Sequence, residues 1–225
     1  MQEIWENIYA SGKQLNRYPW DCVVSFLYRY SATAHVPINK MRILEIGCGS
    51  GSNLWFAARE GASVVGIDTS KSSIEYAEKR FTEDSLVGQF YCATLPNIPE
   101  FTPNYFDCII DRACLTHCSD DTTSKSLATL SQLLRPQGLL LSTFYGRNHS
   151  SHLSGDLQEN GQTTGITSGT LTGVGPITFY DHDKIQSTYS PFFDIIALDK
   201  LNKESVIPKN SELHEEWHLT ASPRS

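Results

Sequence analysis

The sequence predicts an α/β fold: a doubly wound, mostly parallel seven-stranded sheet with a reversed C-terminal strand pair. Three observations predict it. Short apolar runs alternate with amphipathic helical stretches from residue 42 onward. A turn with glycine at every second position, Gly47-Cys48-Gly49-Ser50-Gly51, follows the apolar run Ile43-Leu44-Glu45-Ile46 directly. The last two strand-like stretches are joined by a loop too short for a helical crossover, which makes that pair antiparallel.

Each element has a local reason. Residues 1–40 read as helical and aromatic, with Trp5, Tyr9, Tyr18, Trp20, Phe26, Tyr28 and Tyr30, and with Pro19 and Pro37 as punctuation. Strand one covers about 42–47. The helix after the glycine turn shows an apolar face of Leu54, Trp55, Ala57 and Ala58 and ends at Gly61. Strand two, about 63–67, ends at Asp68, and Ser70 caps the helix that carries Ile74, Ala77 and Phe81. Gln89–Cys92 is a short third strand, and Pro96, Pro99 and Pro103 mark a loop behind it. Tyr105–Asp111 is nearly all apolar, as a strand covered on both faces should be. A helix over 121–134 buries Leu127, Leu130, Leu133 and Leu134 and stops at Arg135-Pro136-Gln137-Gly138. Strand five is Leu139–Tyr145. Residues 146–178, rich in Gly, Ser and Thr, read as a long functional loop. A helix over 181–189, capped by Asp181, precedes the final strands Phe192–Leu201 and Glu215–Ala221.

The bulk numbers restrict the function. The 225 residues suffice for one large domain, and 40% hydrophobic content with mixed charge fits a soluble globular chain. A net charge of −7 argues against non-specific nucleic-acid binding. No apolar run nears the ~20 residues of a membrane span, and the N-terminal residues lack the pattern of a secretory signal. The six cysteines sit mostly in apolar stretches, which reads as free thiols in a reducing, cytoplasmic setting. Cys114, His117 and Cys118 lie close together, but no second Cys/His pair completes a zinc-like spacing, so no metal is expected.

A glycine turn after strand one and an acid after strand two form a nucleoside pocket. The ligand's charge follows from Glu45. A dinucleotide turn has the form G-x-G-x-x-G, whereas here Ser52 fills its last slot, and a carboxylate beside a pyrophosphate would repel it. A cationic nucleoside without phosphate, such as S-adenosylmethionine, suits the acid. A nicotinamide-dependent oxidoreductase and a non-catalytic cofactor-binding protein remain the competing readings.

Further motifs follow in order: Asp68, then Phe106-Asp107-Cys108-Ile109-Ile110, then Leu134-Arg135-Pro136-Gln137-Gly138 before strand five. With Glu45–Gly51 and the reversed strand pair, the set resembles the class I S-adenosylmethionine-dependent methyltransferases over residues 42–222. The resemblance implies one methyltransferase domain over 1–225, with 1–40 as a helical lid and 146–178 as a substrate-side insertion. It implies S-adenosylmethionine as cofactor and S-adenosylhomocysteine as product. Onto the cofactor it carries Glu45, Gly47, Cys48, Gly49, Gly51, Asn53, Asp68 (for the ribose hydroxyls), Thr69, Ser70, Asp111 and Arg112, with Tyr9 and Tyr18 from the lid. Where the family often places an acid for the adenine amino group, this chain has Ala93, flanked by Thr94 and Leu95, so adenine contacts there fall to backbone or to Thr94.

The acceptor is a small molecule, with a hydroxyl oxygen on a sugar, phosphorylated or other polar metabolite preferred over nitrogen or sulfur. His117, His149 and Arg112 are the catalytic candidates, histidine being the commonest base for a hydroxyl. Arg147, His152 and Tyr145 are candidates for holding the substrate, Arg147 and the histidines through an anionic group. The chain is expected to act as a monomer or homodimer, without nucleic acid or membrane.

Overall fold

The computed structural model describes residues 2–208 and 212–224. Two helices open the chain, α1 (Gln2–Ala10) and α2 (Asp21–Ala34). There follow β1 (Arg42–Ile46), α3 (Ser52–Arg59), β2 (Ser63–Asp68), α4 (Lys71–Glu83), β3 (Gln89–Cys92), β4 (Phe106–Arg112), α5 (Asp120–Leu133) and β5 (Leu134–Tyr145). A short helix α6 (Ser150–Leu153) and three short strands, β6 (Asp156–Leu157), β7 (Gln162–Thr164) and β8 (Ile177–Thr178), lead to α7 (His182–Tyr189). The strands β9 (Phe193–Glu204) and β10 (Leu213–Pro223) complete the described residues.

The main sheet has seven strands in the order β3-β2-β1-β4-β5-β10-β9. The pairs from β3 through β5 are parallel, whereas β10 runs antiparallel to both β5 and β9. This is the predicted seven-stranded arrangement with its reversed pair. The strand order switches direction between β1 and β4, and in open α/β sheets the ligand crevice lies at such a switch, beyond the carboxyl ends of the strands.

Alternation along the strands builds two cores. Leu44, Val65, Ile109 and Leu140 pack on one face with Leu127, Leu130 and Leu133 of α5 and Ile185 and Tyr189 of α7. Ile43, Val64, Cys108 and Ile110 pack on the other with Val23 and Phe26 of α2, Leu54 of α3 and Ile74 of α4. Each strand residue has a period of two, so neighbours serve opposite layers, and a strand apolar on both sides results.

Three expectations change. α5 ends without a loop: Leu134 already pairs with Phe106, and the ladder resumes at Leu139 opposite Cys108, so Arg135–Gly138 bulges within β5 instead of standing before it. The insertion is not structureless, because β6, β7 and β8 form a small antiparallel sheet and Leu171, Val174, Ile177 and Phe179 form a third apolar cluster. The final hairpin is longer than the sequence pattern suggested, with β9 and β10 paired from Phe193–Pro223 to Glu204–Leu213. Only Glu216 to Ala221 of β10 reach β5, so residues 213–215 project past the end of that strand, over the crevice side. Among the described residues, no helix is long and apolar enough to cross a membrane.

Candidate active site

Two cavities meet at the switch point. The larger, about 660 Å³, is lined by Glu45, Cys48–Ser50 and Asn53 from the β1–α3 region, by Tyr145, by Thr170 and Leu171 of the insertion, and by Lys203, His214 and Glu216 of the hairpin. The smaller, about 310 Å³, is lined by Asp68, Thr69, Ala93, Thr94, Leu95, Cys114 and Cys118. Trp5, Tyr9, Gly47, Arg112, Ala113 and His117 line both and therefore stand at their junction.

The glycine turn is shaped by close approach. Gly49 has φ +50°, and a Cβ there would collide with the Tyr9 hydroxyl oxygen. Gly47 has φ +64°, and a Cβ would lie 2.5 Å from that of Cys114. Only glycine accepts both the left-handed backbone and the contact. Gly51, also left-handed, is the residue before α3 and lines neither cavity.

Glu45 lies on the last turn-ward stretch of β1 and is 2% exposed. One carboxylate oxygen accepts from Asn53 Nδ2 at 2.6 Å, and Asn53 in turn accepts from the Trp20 backbone N–H at 2.9 Å. The other oxygen, Oε2, is buried without a partner among the described residues. Burial pushes the carboxyl up to about 8, with nearby Asp68 and Asp111 adding to it against the Asn53 bond and Arg112. Arg112 leaves β4 with its guanidinium 4.2 Å over the Trp20 ring, 2.8 Å from Glu216 Oε1 and 2.9 Å from Thr143 Oγ1, while its Nε is buried and unpartnered. An unpartnered acceptor and an unpartnered donor in adjoining walls each cost free energy until a ligand supplies the missing bonds, about 1–3 kcal/mol for a neutral group and more for a charged one.

Asp68 is buried at the end of β2, accepts from the Gly49 N–H at 2.8 Å through one oxygen and from the Ser70 N–H at 2.8 Å through the other, and lines the smaller cavity. Each carboxylate oxygen still has lone-pair capacity for a hydroxyl. Burial raises this carboxyl, and the backbone donors oppose that shift. Thr69 and Thr94, whose hydroxyl oxygens lie 2.6 Å apart, line the same cavity beside Ala93 and Leu95.

The lid side is made by α1. Its Glu6 carboxylate accepts from Ser70 Oγ at 2.6 Å, Ser72 Oγ at 2.5 Å and the Ser72 N–H at 3.2 Å, and these bonds hold it down to about 2. The helix is thus pinned across the start of α4, and Tyr9 is inserted between the two cavities. Burial, then the charge of Asp68, drives the Tyr9 phenol far above its ordinary range, so it is a neutral hydroxyl.

Several candidates fall elsewhere. Asp111 is fully buried behind the wall, where it accepts from Ser142 Oγ and from the Cys114 and Leu115 N–H groups. It shapes the turn that presents Ala113, whose φ of +58° is unusual for a residue with a Cβ. Ser70 caps α4, accepting from the Ser73 N–H, and lines neither cavity. Tyr18 is 70% exposed and lines a separate groove with Trp55 and Arg80. Arg147 pairs with Asp181 at 2.5 Å on the surface, and His152 faces Thr163 at 2.7 Å; neither lines the two cavities. His149 is fully buried and outside both linings as well. Tyr145 lines the larger cavity.

His117 stands at the junction, its ring edge-on to Trp5 at 5.0 Å and its Nδ1 3.3 Å from the Pro176 carbonyl. Burial depresses it to about 4, so it is a neutral imidazole at pH 7. The residues unforeseen from the sequence are His214 and Glu216. Their signal was there: His214, Glu216 and His218 alternate along β10, which puts all three on one face.

Among the described residues, no group of three or more His, Cys, Asp or Glu side chains could hold a metal ion. Residues 43–138 match the model of a methyltransferase domain family. The chain is 32% identical over 104 residues to the ubiquinone biosynthesis O-methyltransferase of Mesorhizobium japonicum, a match covering 46% of this chain and 41% of that one. It is likewise 32% identical over 108 residues to phosphoethanolamine N-methyltransferase 2 of Caenorhabditis elegans, covering 48% of this chain and 24% of the other. The chain spans about half or less of the length of the curated relatives it matches. Among solved structures it is similar in fold to the 1,6-didemethyltoxoflavin-N1-methyltransferase of Burkholderia thailandensis, with TM-score 0.71, 15% identity and coverage of 100% of this chain and 87% of that one. A second similar fold is the magnesium protoporphyrin IX methyltransferase of Synechocystis PCC 6803, with TM-score 0.63, 19% identity and coverage of 91% and 82%. Both of those structures hold S-adenosylhomocysteine.

Proposed function

We propose that this chain is a class I S-adenosylmethionine-dependent methyltransferase and that it transfers a methyl group to a hydroxyl oxygen of a small polar molecule held in the larger cavity. The observation that carries the reading is the pair of unsatisfied groups at the cavity wall, Glu45 Oε2 and Arg112 Nε. The residues present fit the cofactor. Glu45 would take the α-ammonium and Arg112 the α-carboxylate of its amino-acid end. Asp68 would take the ribose hydroxyls, and Thr69, Ala93, Thr94 and Leu95 would surround the adenine in the smaller cavity. Bound there, S-adenosylmethionine supplies a methyl group on a sulfonium.

The chain's own side chains then have two tasks, aligning the acceptor oxygen and excluding water. Trp5, Tyr9 and His117 lie at the junction, where the two ligands would meet, and α1 closes over it. Tyr145, Thr170, Lys203 and His214 give the acceptor's wall both polar and aromatic groups. Oxygen is preferred as the acceptor atom because a histidine at the junction can serve a hydroxyl's proton. Five of the curated relatives are named as ubiquinone biosynthesis O-methyltransferases, which agrees with that preference.

Calorimetric titration with S-adenosylmethionine, S-adenosylhomocysteine and NAD tests the cofactor, and a metabolite screen with methyl-labelled S-adenosylmethionine tests the transfer. Expected are heat from the first two ligands and label on a hydroxyl compound. Heat from NAD alone would refute the reading. Label appearing only on amines or thiols would refute the choice of oxygen.

A further inference from the structure

We propose that Lys203 receives a carboxylate of the acceptor, so that the substrates of this chain are hydroxy acids with an apolar or aromatic body; this rests on the methyl-transfer reading above and names its substrate class.

The hairpin register puts Lys203 over the crevice. Lys203 lies opposite His214 across the β9–β10 ladder, and Leu201 lies opposite Glu216. Directly opposite residues of an antiparallel pair share a face, and so do residues two apart along a strand. Lys203, Leu201, His214 and Glu216 therefore stand on one face, and all four line the larger cavity. Glu216 fixes the inner end of this row, 2.8 Å from Arg112 at the junction of the cavities. Lys203 stands two residues beyond Leu201, about 7 Å further along the strand.

The other charged groups of that cavity are committed. Glu45 and Arg112 Nε are assigned to the amino-acid end of the cofactor. Glu216 faces Arg112, His214 and His218. Glu212 accepts from the Gly169 N–H at 3.1 Å. His214 is engaged at both nitrogens. The Ser151 N–H donates to His149 Nδ1 at 3.0 Å, so the proton of that neutral ring sits on Nε2, which lies 3.0 Å from His214 Nδ1. His214 Nε2 is 3.5 Å from Glu216 Oε2. Among the described residues lining the cavity, Lys203 alone is a cation without a hydrogen-bond, ion-pair or ring partner. Other cations of this region have theirs. Lys200, on the opposite face of β9, lies 2.8 Å from Glu215 and 5.0 Å over the Trp217 ring, and Arg147 pairs with Asp181. The anionic group expected at Arg147 and His152 thus falls to Lys203.

The charge and the shape of the wall specify the ligand. Lys203 is exposed, so water solvates its ammonium in the free protein and an absent partner costs little. An acceptor that fills the cavity displaces part of that water. The unopposed cation then favours an anionic acceptor and penalises a cationic one. A single lysine is a point charge, which matches a singly charged carboxylate, whereas a phosphate dianion calls for a second cation or an arginine fork. Leu171, Val174, Leu201 and Tyr145 line the same cavity and suit an apolar or aromatic body between the carboxylate and the hydroxyl.

The test is transfer of labelled methyl to hydroxybenzoates, hydroxyphenylacetates and aliphatic hydroxy acids, each beside its primary amide and a phosphate monoester of the same body. At low salt, kcat/KM for a labelled acid should exceed that of its amide by about tenfold or more, as one charge-assisted hydrogen bond allows. The ratio should shrink in 1 M salt, where the screening length is about 3 Å. Lys203→Met should collapse the ratio through the KM of the acid, and Lys203→Arg should keep most of it. Lys203→Glu should invert the preference towards an amine-bearing analogue. A purely structural role would move acid and amide together. An amide used as well as its acid, a phosphate monoester preferred to both, or a ratio that survives Lys203→Met overturns the proposal. So does a wild type that binds S-adenosylmethionine and labels none of the acids. A wild type that does not bind S-adenosylmethionine refutes the methyl-transfer reading instead.

Discussion

Glu45→Gln should make the free protein more stable and the cofactor bind worse. The wild-type carboxyl titrates near 4.5 in an unfolded chain and is pushed up to about 8 by burial in the fold. Between those values the native state holds a proton that the unfolded state has released, so wild-type stability falls as pH rises. The slope approaches about 1.4 kcal/mol per pH unit for one group, or roughly 3 kcal/mol between pH 5 and pH 7. Glutamine keeps an acceptor for the Asn53 Nδ2 bond and does not titrate, so its stability curve lacks this slope. Denaturant melts of both proteins at pH 5, 6, 7 and 8 measure the difference. The same reasoning predicts proton release: an ammonium ligand drawing Glu45 into its charged form at pH 7 should release nearly one proton, read from calorimetry in buffers of different ionisation enthalpy. Parallel stability curves for the two proteins, or cofactor binding without proton release, would refute the assignment of Glu45 as a buried, protonated carboxyl awaiting a cation.

Asp68→Asn should weaken S-adenosylhomocysteine binding by about ten- to a hundredfold, because charge-assisted hydrogen bonds to ribose are worth roughly 1.5–3 kcal/mol; unchanged affinity in a titration would place the ribose elsewhere. Glu6→Ala removes three bonds that pin α1 to the start of α4, so limited proteolysis should cut the first twenty residues faster while the melting transition of the sheet stays put. Equal cleavage rates in the two proteins would mean that α1 is held by other contacts.

The element order was legible because it depends on local rules. Ser70 caps α4 and Asp181 caps α7 through side chains bonded three residues on, an interaction that needs nothing beyond its own segment. The antiparallel closing pair followed from loop length alone. Boundaries were less legible where tertiary pairing overrode a stop signal, as at Pro136, which sits in a bulge of β5 beside a ladder that β4 continues to support. Asp111 shows why site residues at strand ends are ambiguous. One residue of register separates a side chain that faces the ligand from one that faces the core, and here Arg112 faces the cavity while Asp111 ties down the turn. Tyr9 and Tyr18 were equivalent by sequence, but only Tyr9 reaches the glycine turn.

By itself, the sequence determined the sheet, the glycine turn and the two acids that frame it. Each of these is set by the period of a strand, the absence of a Cβ or the end of an apolar run, and each is complete within a few neighbours. Tertiary structure decided what faces what. His149, Thr170, His214 and Glu216 come from the end of β5, the insertion and the last strand, and His149 meets His214 across 65 positions of chain. Only the pairing of β10 with β5 and the folding of the insertion back against it bring their nitrogens and oxygens within bonding distance. The direction of each proton in that cluster is a property of the assembled neighbours, starting from one backbone N–H at Ser151.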